Sequence, residues 1–326
     1  MSTVSLTYRE AIALALADAM DDDPDVLCLG EDIGAAGGVF KTTEGLFERF
    51  GGERVRDTPI SEQAIVGTAL GAAVTGLRPV AELMFADFAG VAFDQIANQV
   101  AKYRYMSGGQ ADVPITIRMA SGAGLGFAAQ HSQATENWFL NVPGLHIVVP
   151  ATPADVYGLL RTAIDSNDPV LVFEHKALFT QRGDVEPGRS VPLGVAEVVR
   201  TGGDVTVVAT QFMRWRSLEA AEALETEGVQ VEVIDPRTLS PLDLDTIVTS
   251  VERTGRLVCV QESPPAGGWG ATVIAGVVEL AFDRLDAPPI LVASDATPVP
   301  YAGAMEDRWM PSAERIADAV RRSAEH

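Results

Sequence analysis

Asp57-Thr58-Pro59-Ile60-Ser61-Glu62 is the stretch whose reading decides the fold. Pro59 pushes Thr58 away from helix, Ser61 is a good N-cap, and residues 63–75 are Gln, Ala, Ile, Val, Gly, Thr and Leu with no charge among them. A helix without a polar face belongs inside a domain or an interface. Glu62, in its first turn, then stands where solvent gives way to a packed interior. Taken alone the position is ordinary, because the helix dipole favours an acid there. The surrounding chain gives it a different weight.

Upstream, Thr7-Tyr8-Arg9-Glu10 is a capping box that opens an amphipathic helix running to about Met20, and Asp22-Asp23-Pro24 ends it. A strand over 26–29 feeds a glycine-rich acidic loop, residues 30–38. Its glycines allow close approach of a ligand, but its acids repel a phosphate. Downstream come a strand over 80–85, a helix over 91–105 that ends at Ser107-Gly108-Gly109, and a strand over 115–119. The next loop, Gly122-Ala123-Gly124-Leu125-Gly126, has the wrong spacing for a dinucleotide fingerprint. His131-Ser132-Gln133 follows, then a strand over 145–149, a helix from Pro153 to about 165 and a strand over 169–174.

Residues 181–192 are rich in Gly, Pro and charge, which marks a domain boundary. The alternation then restarts with strands over 205–210, 229–234, 257–262 and 290–293 and helices over 217–227, 243–252 and 270–284. Short apolar strands alternating with helices imply an α/β fold of two domains, each with a mostly parallel sheet flanked by helices. The expected division is a first domain over 1–185, a linker over 186–195 and a smaller second domain over 196–326.

Composition narrows the function classes. The chain has 326 residues, 47% apolar and 21% charged, as expected of a globular protein large enough for two cores. A net charge of −21 with scattered cations argues against nucleic acid or an anionic membrane as partner. Cys28 and Cys259 sit in separate apolar runs and read as buried small hydrophobes. The start of the chain lacks a signal-peptide pattern and no run is long enough to span a bilayer, so a cytoplasmic setting is expected.

Several quoted strings coincide in order and spacing with one family. Gly30-Glu31-Asp32-Ile33-Gly34, Asp57 to Glu62, Gly76-Leu77-Arg78-Pro79, Phe85-Ala86-Asp87-Phe88, Tyr103-Arg104-Tyr105-Met106-Ser107-Gly108-Gly109, His131-Ser132-Gln133 and Pro298-Val299-Pro300-Tyr301 span nearly the whole chain. Together they resemble the β subunit of thiamine-diphosphate-dependent 2-oxo acid dehydrogenases, of the pyruvate, branched-chain and acetoin types. The resemblance implies a pyrimidine-binding domain followed by a transketolase C-terminal-type domain, in an α2β2 heterotetramer with an α subunit. Some strings, including Ala128-Ala129-Gln130-His131, look closer to the acetoin type.

What the family implies can be placed residue by residue. Glu62 would hydrogen-bond a ring nitrogen of the cofactor's aminopyrimidine and favour the imino tautomer that deprotonates the thiazolium carbon. Burial favours the neutral carboxyl and a helix N-terminus the carboxylate, and a proton shared with the cofactor reconciles the two. Phe88 would pack against the pyrimidine, with Met84 and Phe85 lining the same pocket. His131 would lie near the thiazolium and assist substrate handling or acyl transfer to a lipoyl-bearing acyltransferase component, a task suited to an imidazole.

Ile115, Ala163, Ser166 and Asp168 match positions that hold potassium in some relatives, although Ser166 stands where a relative carries Asp. The Gly-Asp-Gly motif with which family members bind Mg2+ and the diphosphate is absent here, so those contacts are assigned to the α subunit. The competing reading is a non-catalytic scaffold of the same fold; a standalone oxidoreductase lacks its nucleotide fingerprint.

Overall fold

In the computed structural model, which describes residues 3–326, the short apolar runs of the first half become strands of one parallel sheet. The strands of this half are β1 (Val4–Thr7), β2 (Val26–Gly30), β3 (Val55–Asp57), β4 (Arg78–Leu83), β5 (Thr116–Ser121), β6 (His146–Val148), β7 (Val170–His175) and β8 (Arg182–Val185). They alternate with helices α1 (Tyr8–Asp22), α2 (Leu46–Phe50), α3 (Glu62–Val74), α4 (Tyr103–Met106) and α5 (Pro153–Asp165). Six strands lie in the order β6-β7-β5-β4-β2-β3, and every neighbouring pair is parallel. The central strands β5 and β7 are buried along their whole length, as expected of a parallel sheet covered on both faces, whereas the edge strand β3 is exposed at Arg56 and Asp57.

The capping box forms as the sequence predicts. Thr7 Oγ1 accepts the Glu10 N–H at 3.3 Å, and the Glu10 carboxylate accepts the Thr7 N–H at 2.7 Å. The run around Arg182 is more ordered than its composition predicts, because β8 pairs antiparallel with β1. The expected helix over 91–105 does not form as one piece. A 3-10 turn at Ala86–Gly90, a π-helix at Gln95–Val100 and the short α4 take its place. Val91 and Phe93 are exposed there, so one apolar stripe never faces a common core.

The second unit holds β9 (Glu197–Arg200), β10 (Val205–Ala209), β11 (Val231–Asp235), β12 (Thr238–Ser240), β13 (Leu257–Val260) and β14 (Ile290–Val292). Its helices are α6 (Gln211–Glu225), α7 (Leu244–Thr254), α8 (Trp269–Ala281), α9 (Gly303–Trp309) and α10 (Ala313–Ala324). The sheet order is β14-β13-β10-β11-β9, parallel except for β9. Val207, Val233 and Val258 pack against Leu224, Ile316 and Val320, each fully buried and each contributing roughly 1.5–3 kcal/mol. Two compact units result: one runs to Ser121 and takes in Trp138–Leu193, and the other joins Gly122–Asn137 to Gly194–His326. The second unit thus includes a segment that the sequence places in the first. No helix among the described residues is long and apolar enough to cross a membrane.

One buried cation fixes the middle of the first sheet. Arg118 on β5 meets Glu174 of β7 through Nε at 2.7 Å and Nη2 at 2.8 Å, and Glu82 of β4 through Nη1 at 2.6 Å. Burial works against the charge, but the two carboxylates outweigh it and hold the guanidinium above its ordinary pKa. Cys28 is buried nearby, and burial pushes its thiol up to about 12. Cys259 is likewise a buried free thiol, pushed up by the same cause. Arg118→Met would leave Glu82 and Glu174 without their counter-ion. It is expected to lower the unfolding free energy by about 3–5 kcal/mol in a denaturant titration, and a loss below about 1 kcal/mol would contradict this role.

Candidate active site

Because the six strands run parallel, their carboxyl ends share one edge of the sheet. The chain passes from β2 to β3 on one side and then places β4 on the other side of β2. Such a reversal opens a crevice outside the carboxyl ends of the strands, where open α/β sheets take ligands. Glu31 follows β2, Thr58 to Glu62 follow β3, and Met84 to Phe88 follow β4. The sheet therefore gathers Glu62, Met84, Phe85 and Phe88 along one edge, at its switch point.

Local bonds set the stretch Asp57 to Glu62. Asp57 Oδ1 accepts the Gly34 N–H at 2.6 Å, and the Thr58 N–H reaches the Gly30 carbonyl at 2.9 Å. A Cβ on residue 34 would lie 2.5 Å from Asp57 Oδ2, so a larger residue there would push the Asp57 carboxylate aside. Ser61 occupies the N-cap position, yet its hydroxyl donates to the Pro59 carbonyl at 3.0 Å instead of capping α3. The first turn is left to Glu62, which is 8% exposed.

Helix α3 is only half inside. Ile65, Val66, Ala69, Leu70 and Ala73 are buried, whereas Ala64, Thr68 and Gly71 are exposed on the opposite side. A groove of about 620 Å³ runs along it, lined by Glu62, Ala64, Gly67, Thr68, Val91 and Gln95 among others. Gln95 opens the π-helix, a distortion frequent at functional sites.

Beside this groove the end of β4 carries aromatic rings. Phe85 and Phe88 meet edge to face at 5.7 Å, and Phe40 meets Phe85 at 5.6 Å. Met84 and Phe88 are half-buried and Phe85 is buried. Lys176, 2% exposed, holds its ammonium 5.6 Å from the Phe85 ring centroid. Sequence reading did not single out Lys176, although it follows β7 on the same edge. Nor did it give Glu31 a role. Burial first, and then the charges of Asp32 and Glu62, push the Glu31 carboxyl above its ordinary pKa, which sets it in the electrostatic neighbourhood of Glu62.

His131 lies in the segment that joins the second unit. It is half-buried, and its N–H donates to the Ala128 carbonyl at 3.4 Å. Close by in sequence, Glu136 is buried and its Oε2 has no hydrogen-bond partner. Burial, aided by the carboxylate of Glu262, pushes Glu136 up to about 7.

Ala163, Ser166 and Asp168 are linked by local hydrogen bonds, while Ile115 pairs with Val170 across the sheet. The Ile115 carbonyl accepts Val170 N–H at 3.0 Å, that of Ala163 accepts Ser166 N–H at 3.3 Å, and that of Asp168 accepts Ser166 Oγ at 2.9 Å. The Arg78 guanidinium donates to the Ser166 carbonyl at 3.1 Å, and Arg104 bonds the Asp168 carboxylate at 2.6 Å. Each carbonyl keeps a second lone pair.

Comparison with known proteins settles the family. The model of the transketolase pyrimidine binding domain matches residues 4–181, and that of the transketolase C-terminal domain matches residues 194–316. The beta subunit of acetoin:2,6-dichlorophenolindophenol oxidoreductase from Cupriavidus necator is 48% identical over 98% of this chain and 97% of its own length. The chain belongs to the 2-oxo acid and acetoin dehydrogenase β-subunit family. A second member, the 3-methyl-2-oxobutanoate dehydrogenase subunit beta of Mycobacterium tuberculosis, is 44% identical over 98% of this chain and 92% of its own. The fold extends further. A split gene transketolase in an inactive beta4 tetramer has a TM-score of 0.80 at 25% identity, covering 98% of each chain. The two α/β units of this β-subunit chain correspond to the two transketolase-like domains except for residues 122–137, which fall within the first match but pack with the second unit, and the family implies use of thiamine diphosphate.

Glu136 gives a pH test of this region. Its folded pKa is raised, so the stability it contributes is full below about pH 4.5 and is lost as pH rises through about 7. Glu136→Gln should therefore gain on the native protein by up to about 3 kcal/mol between pH 5 and pH 8. Parallel melting curves across that range check this, and a constant difference between the two proteins would contradict it.

Proposed function

We propose that this chain is the β half of an α2β2 thiamine-diphosphate-dependent dehydrogenase that passes an acyl group to a lipoyl-bearing acyltransferase component. The observation that carries this reading is Glu62: a nearly buried carboxyl at the start of α3, following a strand beside the switch point of a parallel sheet and lining a groove along the helix. The residues suit an aminopyrimidine. A nearly buried carboxyl lines the groove, and flat apolar rings stand at the end of β4.

Thiamine diphosphate, when bound, supplies a carbon nucleophile and an electron sink for cleaving a bond next to a carbonyl. Glu62 holds a proton at a ring nitrogen of the aminopyrimidine and so selects its tautomer. Phe88, with Met84 and Phe85, packs against the ring and keeps water from it. His131 moves a proton during substrate handling or acyl transfer. Mg2+ and the diphosphate fall to the α subunit, since this chain lacks the motif that would hold them. Acetoin is the first substrate to try, because the acetoin:2,6-dichlorophenolindophenol oxidoreductase relative shares 48% identity against 44% for the 3-methyl-2-oxobutanoate dehydrogenase one. A 2-oxo acid is the alternative.

The isolated chain is expected to bind thiamine diphosphate weakly, and addition of the α subunit with Mg2+ to restore binding, as read by calorimetry. In that assembly Glu62→Ala should keep its tetramer on size-exclusion chromatography while turnover of acetoin with 2,6-dichlorophenolindophenol falls about 10²-fold or more. Turnover within about threefold of the native assembly would favour a scaffold instead.

The same reading places potassium on the carbonyls of Ile115, Ala163, Ser166 and Asp168 through their free lone pairs. Saturating KCl should then raise the melting temperature by about 2–4 °C relative to NaCl at equal ionic strength. Equal melting in the two salts counts against the ion.

A further inference from the structure

The second sheet has a switch point of its own. From β10 the chain goes to β11 on one side, and β13 then pairs with β10 on the other, with Ala209 beside Val260 at their carboxyl ends. In an open parallel sheet that is where a ligand is expected. The residues that follow are polar and buried: Thr210 and Gln211 after β10, and Gln261, Glu262 and Ser263 after β13.

The β13 wall of this crevice is taken by the chain's own segment Gly122–Asn137. Glu262 Oε1 accepts the Ala123 N–H at 2.7 Å, and Asn137 Nδ2 donates to Ser263 Oγ at 2.5 Å. Asn137 Oδ1 in turn accepts the Trp269 N–H, at the start of α8, at 2.9 Å. From α9, Glu306 closes a two-pronged grip: Oε1 takes the Gly124 N–H at 2.8 Å and Oε2 the Gly126 N–H at 2.9 Å. Glu306 is 2% exposed, and Ala123 is sealed under Val299, Trp309 and Met310. Gly124 sits at φ +99°, a conformation glycine adopts without strain.

We propose that Glu306 and Glu262 are positioning residues for His131: they clamp the backbone N–H groups of residues 123–126 and so fix the segment that carries the imidazole. This rests on the role given to His131 above. It assigns the second sheet a task, since its ligand crevice is occupied by part of the protein's own active-site apparatus. Charged acceptors on backbone donors form strong bonds, and three in four residues leave the segment little freedom. A proton-transfer group held in place loses rate, not binding, when its support loosens.

The test uses the assembled α and β chains with Mg2+, thiamine diphosphate, acetoin and 2,6-dichlorophenolindophenol. Glu306→Gln keeps the shape of the side chain but replaces one acceptor with an NH2 group. Amide hydrogen exchange over residues 122–131 should quicken at least about tenfold, with the rest of the chain unchanged. The kcat should fall about tenfold while KM and cofactor affinity stay within about twofold. In a His131→Gln background the same change should cost no further rate, as a shared pathway requires. Unchanged exchange in the segment overturns the clamp. Faster exchange with unaltered kcat, where His131→Gln alone is impaired, overturns the positioning role. A silent His131→Gln shows instead that His131 has no part in the reaction, and the proposal falls with it. Should Glu306→Gln fail to assemble, Glu262→Gln loosens the same segment from the β13 side and is read the same way.

Discussion

The placement of β2 between β3 and β4, parallel to both, is the constraint on which the first unit depends. Gly30 faces Asp57 on one side and Glu82 on the other, so three strand ends arrive in register at one edge. Each end carries a different instrument. The β2 end supplies an acidic loop, the β3 end a turn into Glu62, and the β4 end a set of rings. Asp57 ties the first two together through the Gly34 N–H, and Arg118 ties β4 to β5 and β7 from within. The site is thus built on strand termini that the sheet itself aligns, which leaves little to loop flexibility.

Much of this was legible in the sequence. Continuous apolar runs separated by helical stretches predicted parallel sheets, and the capping box at Thr7 predicted the start of α1 to the residue. What failed did so for local reasons. Ser61 has an N-cap's identity but spends its hydroxyl on Pro59, because the proline turn brings that carbonyl within reach. The helix expected over 91–105 breaks into pieces because its apolar residues do not keep to one face. Lys176, just past β7, and Glu136, in a loop turn, were given no role since a single charged residue has no periodicity to betray it; only burial does. The segment around His131 lies within the stretch matched by the pyrimidine binding domain yet packs with the second unit, and sequence order gives no sign of which sheet such a loop packs on.

The two switch points have opposite fates. In the first unit the carboxyl edge stays open as a groove beside Glu62, and its helix α3 presents Ala64, Thr68 and Gly71 outward. In the second unit the corresponding crevice has one wall sealed by chain. A fold used twice in one polypeptide can therefore differ between its copies: one carries a groove beside Glu62, and the other uses Glu262 and Glu306 to hold a loop of its own chain. Fold alone would have assigned both copies a ligand.

The buried thiols bear on how the protein ages. Neither sulfur is reachable by solvent, and both resist ionising, so the thiolate that peroxide attacks is nearly absent. Two thioethers lack such shelter. Met106 and Met305 are each about 60% exposed, and they are where oxidative wear would first be written on this protein, as sulfoxides that a reductase can erase.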